Sequence, residues 1–288
     1  NDFSPFGRLT YDAGDLGAVQ FAYSSGMPPA ELLASSEIPE ADLSQDLSVL
    51  ALFPRVSLRG GTARVQRAEN FEIAYRKAVG SRSFSVGAYR ESVTNAAVMM
   101  AAPGGFYSSA DLLPDLSSNS SIFNLGAYRR MGYMASLTQK VGDELTFALA
   151  GGSAGVLRVD DTTLLGANPD QLRNQMRRAR RGWLAARVTA VSPWTGTRLA
   201  TSYQWTDYTS LSPTHLYLTQ GFQPDLGWNL QIRQPLPAVS PWSARLEASA
   251  ELRNLLAQGY VPVSTFDGRK LFLVQNPRAV RGGLSFIF

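Results

Sequence analysis

The stretch Trp242-Ser-Ala-Arg-Leu-Glu-Ala-Ser-Ala-Glu-Leu-Arg253 decides the fold. One parity reads Trp242, Ala244, Leu246, Ala248, Ala250, Leu252; the other reads Ser243, Arg245, Glu247, Ser249, Glu251, Arg253. In an extended strand these two sets point to opposite faces. Twelve residues without an error exceed the ~5–6 of an ordinary strand in a soluble sheet. They match the ~9–11 that a tilted strand needs to cross a bilayer.

The pattern recurs in both directions from there. Leu226, Trp228, Leu230 and Ile232 oppose Gly227, Asn229, Gln231 and Arg233. Thr197, Leu199, Thr201, Tyr203 and Trp205 oppose Arg198, Ala200, Ser202, Gln204 and Thr206. Leu184, Ala186, Val188 and Ala190 form a further apolar face, as do Leu145, Phe147 and Leu149, and Met131, Tyr133, Ala135 and Leu137. Nearer the start, Phe84, Val86 and Ala88 alternate with Ser83, Ser85 and Gly87; Phe71, Ile73 and Tyr75 with Glu72, Ala74 and Arg76; Val19, Phe21 and Tyr23 with Gln20, Ala22 and Ser24. Leu9 and Tyr11 mark a weaker first strand.

Composition narrows the setting. Of 288 residues, 17% are charged and 10% aromatic, against ~25% charged in ordinary soluble domains. No run of ~18 apolar residues occurs, which excludes a transmembrane helix. The absence of cysteine removes disulfides, thiolate metal sites and cysteine nucleophiles together. The net charge of +4 is low, and no aromatic–basic platform recurs, so no nucleic-acid partner is expected. A soluble sheet with one buried face competes with a membrane barrel. Strand length, the girdle-like Trp194, Trp205, Trp228 and Trp242, and small polar residues opposite the apolar face favour the barrel. The expected fold class is all-β, an antiparallel transmembrane β-barrel over 1–288 with long extracellular loops. The expected location is the bacterial outer membrane.

Turns alternate between short (78–82, 138–143, 192–196, 235–241) and long (26–69, 93–121, 158–180, 207–224, 254–277), as outer-membrane barrels alternate periplasmic turns with extracellular loops. Counting back from the C-terminus gives eleven strands. Single-chain bacterial barrels have even numbers, so eleven implies a missed strand or part of a larger barrel. Leu50–Arg59 is the candidate missed strand, interrupted by Pro54. The chain opens at Asn1 with no signal peptide, which reads as a mature protein or a fragment.

The terminal run Val280-Arg-Gly-Gly-Leu-Ser-Phe-Ile-Phe288 places Val280, Leu284, Phe286 and Phe288 on one face. It resembles the insertion signal of outer-membrane proteins, which implies the barrel assembly machinery as a partner. Asn70-Phe-Glu-Ile-Ala-Tyr-Arg-Lys77 with Phe84-Ser-Val-Gly-Ala-Tyr-Arg-Glu91, Ser4–Asp12 leading to Phe21–Pro29, and Glu251–Phe288 resemble strands of TonB-dependent outer-membrane receptors. The resemblance implies about half of a 22-stranded barrel serving solute uptake. It also implies a plug domain and a coupling segment, neither of which is found in this sequence. The alternative is a stand-alone barrel of about twelve strands, a passive pore or a structural subunit of an envelope complex.

Three groups of residues are candidate sites. Arg233, Arg245, Glu247, Glu251 and Arg253 fall on the inward parity; they would meet a plug, or set ion selectivity. Asn168–Arg181 reads as a short helix with Asn168 as N-cap and Pro169 at its first turn. Its Arg173, Arg177, Arg178, Arg180 and Arg181 could meet lipopolysaccharide phosphates or another anion. His215, the single histidine, lies near Asp207, Ser210 and Ser212; a solvated loop histidine is the expectation rather than a hydrolase. Asp160 and Asp161 lack the further oxygen ligands a cation needs. Neither enzymatic activity nor a cofactor is expected.

Overall fold

The structure, a computed structural model, describes residues 4–26, 56–101, 112–115, 120–159, 163–164, 169–206, 210–211, 219, 226–237, 245–265, 270–274 and 277–287. The chain is all-β. Eleven long strands make the wall of the molecule: β1 (Phe6–Asp12), β2 (Ala18–Gly26), β5 (Arg67–Val79), β6 (Arg82–Ala101), β8 (Ser120–Val141), β9 (Leu145–Val159), β11 (Met176–Val191), β12 (Arg198–Trp205), β13 (Gly227–Leu236), β14 (Arg245–Arg253) and β17 (Ala279–Ile287). Each pairs antiparallel with the next in that order. The number and placement agree with the sequence count. Shorter strands lie between them: β3 (Val56–Arg59), β4 (Thr62–Val65), β7 (Leu112–Asp115), β10 (Thr163–Leu164), β15 (Tyr260–Thr265) and β16 (Lys270–Val274).

Register carries the alternation across the whole wall. Val188, Thr201, Leu230, Leu252 and Val280 are successive cross-strand partners, and so are Ala190, Leu199, Ile232, Ala250 and Gly282. One parity is therefore apolar from strand to strand, and a one-residue slip anywhere would invert a strand. That parity is the exposed one. Phe71, Ile73, Phe84, Val86, Met131, Tyr133, Phe147, Leu149, Leu184 and Leu284 are all exposed. Ala22, Ala74, Ser85, Tyr89, Met134, Ala148, Ala150, Trp183, Ala185 and Ala200, of the opposite parity, are buried. A sheet folded for water would hide the first set.

The wall curls. The excursion after β14, tenth in the wall, carries the β15–β16 hairpin back to β6, the fourth, where Phe272, Leu273 and Val274 pair with Ala101, Met100 and Met99. The segment after β12, the eighth, returns to β9, the sixth, through Leu157 and Leu211, whose amides and carbonyls exchange bonds of 2.8 and 2.9 Å. Only a curved sheet brings such distant strands within reach. Asn254 launches the first excursion: its amide donates to Asn229 Oδ1 at 2.9 Å, and its own Oδ1 accepts from the Gln258 amide at 2.9 Å.

Two apolar clusters fill the concave side. Val93, Val98, Met100, Phe123, Leu157, Leu172, Leu211, Val261, Val263, Leu271 and Leu273 join the upper ends of β6, β8 and β9 to the returning segments. Tyr89, Met134, Ala148, Ala150, Trp183 and Ala185 form a smaller one lower down. Gly132 sits under the Tyr89 ring, and a Cβ there would lie 2.6 Å from both that ring and the Ser153 carbonyl oxygen. The interior expected to be wet is thus partly filled by the chain itself.

Three boundaries differ from the sequence reading. The helix covers Pro169–Gln175 only. From Met176 the chain is strand, because residues 176–182 pair with 153–159 of β9. The described part of Leu50–Arg59, Val56–Arg59, pairs with Thr62–Val65 as a small hairpin. Among the described residues it is bridged to β8 only through Leu58 and Phe123, and so is not a twelfth wall strand. Finally, β6 and β8 run on past the alternating core to Ala101 and back to Ser120, with a register shift between Val93 and Ala97. Among the described residues β1 pairs with β2 alone and β17 with β14 alone, so the wall has two edges.

Candidate functional site

The concave face carries ionisable residues at depth. Glu91 on β6 and Arg130 on β8 are direct cross-strand partners, both buried, and their side chains form an ion pair. The register alone puts them opposite each other, since both are inward in antiparallel neighbours. The Arg130 guanidinium also stands 5.7 Å from the centre of the Tyr89 ring. Gly155 on β9 makes room for it: a Cβ there would lie 2.6 Å from Arg130 Cβ.

Glu72 on β5 is the second buried acid. Its carboxylate accepts from the Thr219 amide and the Thr219 hydroxyl, each at 2.9 Å, and from Asn70 Nδ2 at 2.9 Å. Thr219 belongs to the segment between β12 and β13, so Glu72 on the third wall strand holds a segment that leaves from the eighth. A carboxylate taking three charge-assisted bonds in a buried setting is a latch rather than a solvated charge.

The inward charges read from sequence distribute unevenly. Arg233 is buried, and among the described residues its Nη1 has no hydrogen-bond partner. Arg253 pairs with Glu251 along its own strand rather than across strands. Glu247 stands opposite Ser285 and Pro235, and Arg245 opposite Ile287; the Arg245 side chain lies outside the described residues. Sequence reasoning missed Glu72, Glu91 and Arg130. The signal was there, because all three sit on the inward parity of strands whose apolar parity was recognised.

The basic run divides. Arg173 is structural: Nε donates to the Asn124 carbonyl at 2.7 Å, Nη1 to Asp170 Oδ1 at 2.7 Å, and the guanidinium lies 5.0 Å from the Phe123 ring centre. Arg177 and Arg181 take the inward parity of β11, Arg178 and Arg180 the outward one. The helical reading had put all five together; the strand separates them.

Val280 and Leu284 are exposed on the edge strand β17, as an apolar terminal face requires. Phe286 stands opposite Leu246 in register; its side chain, and Phe288, lie outside the described residues. So do His215, Asp207, Ser212, Asp160, Asp161 and Trp242. Trp205 and Trp228 are exposed on the outward parity toward the long-loop end, and Trp194 is exposed in the short turn at the opposite end. Among the described residues no three His, Cys, Asp or Glu side chains gather as a metal ion would need.

The sequence matches no family model and no curated protein. Among solved structures the chain is similar to a Pseudomonas aeruginosa FadL homologue, at 12% identity over 98% of this chain and 76% of that one, with a TM-score of 0.33. A superposition that loose says nothing about function. The functional reading rests on the molecule's own geometry.

Proposed function

We propose that this chain forms the wall of an outer-membrane β-barrel transport protein. One observation carries the reading: eleven consecutive antiparallel strands, held in register, expose their apolar parity and turn their small, polar and ionisable parity inward. Val141 and Met131 bound the outward parity of β8, which is apolar at every position between them except Gln139. Ten residues separate them, ~34 Å of strand at ~3.4 Å per residue. A tilt of ~40° reduces that to ~26 Å, which compares with the ~25 Å apolar band of outer-membrane barrels. Aromatic rings at both ends of the band fit the interfacial girdles. Open sheet edges are not tolerated in hydrocarbon, so β1 and β17 are completed by further strands in a closed barrel of even number. The resemblance of the hairpin and tail motifs to TonB-dependent receptors is one route to such a barrel, with this chain supplying about half.

Transport follows from what the wall encloses. Buried acids and arginines in a membrane protein line solute paths far more often than lipid. Here Glu72, Glu91, Arg130 and Arg233 line the concave face. A permanently open passive pore fits less well, since the segments after β12 and β14 fold back across that face.

The test is ionic conductance, in planar bilayers, of the closed barrel that contains this chain. Wild-type protein is expected to be nearly silent. Glu72→Ala removes the acceptor for three hydrogen bonds, each worth about 1.5–3 kcal/mol when the partner is charged, and frees the segment bearing Thr219. Its conductance is expected to rise at least severalfold. Unchanged silence in the variant, with Thr219 shown to be accessible to protease, would mean that no path runs behind the latch.

A further inference from the structure

We propose that Arg90, Arg129, Arg178 and Arg180 form a binding site for a lipid phosphate on the outward face of the wall. The site rests on the membrane-spanning reading above and names a ligand that reading leaves open. Pairing between β8 and β9 stops at Tyr133 and Ser153, whereas pairing between β9 and β11 continues to Val159 and Met176. Beyond Tyr133 the wall therefore parts. The resulting cleft has a volume of ≈ 490 Å³ and is lined by five arginines: the exposed four, with Met131 beside them, and the buried Arg130, with buried Val156 and Leu157 deeper in.

Register places the arginines around the gap. Arg90 stands opposite Met131, and Arg129 opposite Ser92, on one side. Arg180 stands opposite Gly155, and Arg178 opposite Leu157, on the other. All four are exposed, and among the described residues none of them makes an ion pair. On the outward parity of the eleven wall strands the one acid is Glu69. It is separated from Arg129 by Ser92 of β6 and accepts the Tyr23 hydroxyl at 3.2 Å. Arg130 in the lining is offset by Glu91, but the other four cations converge on the cleft with no counter-charge among the described residues. Like charges so placed repel, and an anion is what offsets them.

Position identifies the anion. On each strand the arginine comes directly after the apolar band: Ala88 then Arg90 on β6, Met131 then Arg129 on β8, Leu184 and Gly182 then Arg180 on β11. That is the level of lipid headgroups, on the long-loop side. Guanidinium forks bind phosphate through paired N–H donors. Exposed Met131 beside the charges suits the first carbons of a lipid, not a fully hydrated ion. A phosphorylated glycolipid of the outer leaflet has this chemistry.

The experiment reconstitutes full-length wild-type protein and the variant R90Q/R129Q/R178Q/R180Q into phosphatidylcholine vesicles. The vesicles are doped with bis-phosphorylated lipid A, or with the same glycolipid after removal of its phosphates. Wild type is expected to retain the phosphorylated form at least roughly tenfold better, and the variant to lose that preference while inserting with equal yield. Equal retention by the two proteins overturns the site and leaves the membrane reading standing. Failure of the wild type to insert in any vesicle overturns the membrane reading and the site with it. Displacement of the glycolipid by millimolar inorganic phosphate overturns the lipid assignment, because a free anion then suffices.

Discussion

Leu149→Arg is expected to destabilise the vesicle-reconstituted protein by about 2–4 kcal/mol, the cost of a guanidinium facing lipid near the midplane of a barrel. Leu149 is exposed and lies in one row with Leu137 and Ala186, midway along the apolar parity of β9. About half of its surface is exposed, so the loss chiefly measures what that surface faces. Asp143→Arg, at an exposed position of the short turn between β8 and β9, is the control and should stay within about 0.5 kcal/mol. Urea titration of the folded fraction gives both numbers. In a protein folded for water the cost vanishes: an exposed leucine replaced by arginine costs almost nothing, and such a protein would stay soluble without detergent.

Arg130→Met is expected to cost about 3–5 kcal/mol, because it strands the Glu91 carboxylate at a buried position. Glu91→Met combined with Arg130→Met should recover most of the loss, since replacing both members of a buried pair by apolar groups is often neutral. The double-variant cycle in the same urea titration separates this from simple packing damage. A single-variant cost below about 1 kcal/mol would place the pair in water, and the concave face would then be an open, solvated surface.

The wall was legible because bilayer and interior impose opposite demands on successive residues. Twelve alternating positions from Trp242 to Arg253, and shorter runs elsewhere, locate all eleven strands. What was not legible follows from contacts far apart in sequence. The Asn168–Arg181 run has the cap and proline of a helix start, and it does begin as one. From Met176, however, pairing to β9 outweighs local propensity, and that pairing is invisible in the run itself. The partition of its arginines, two outward, two inward and Arg173 tied to Asn124 and Asp170, follows from strand geometry alone. Arg90 and Arg129 fall within strands recognised from the sequence, but only the cross-strand register brings them to the same gap as Arg178 and Arg180. Glu72 was visible as an inward acid, but its partner Thr219 lies 147 residues away and no periodicity connects the two.

The most direct test of the membrane-spanning wall uses the absence of native cysteine, which makes every introduced cysteine a unique labelling site. Single cysteines at Phe147, Ala148, Leu149 and Ala150, and at Leu184, Ala185 and Ala186, carry nitroxide labels in the vesicle-reconstituted chain. Collisions with oxygen, which concentrates in hydrocarbon, should peak at 147, 149, 184 and 186 and fall at 148, 150 and 185. A water-borne nickel complex should reach none of the first set. Free access of that complex to 147, 149, 184 and 186 would contradict a lipid-facing wall.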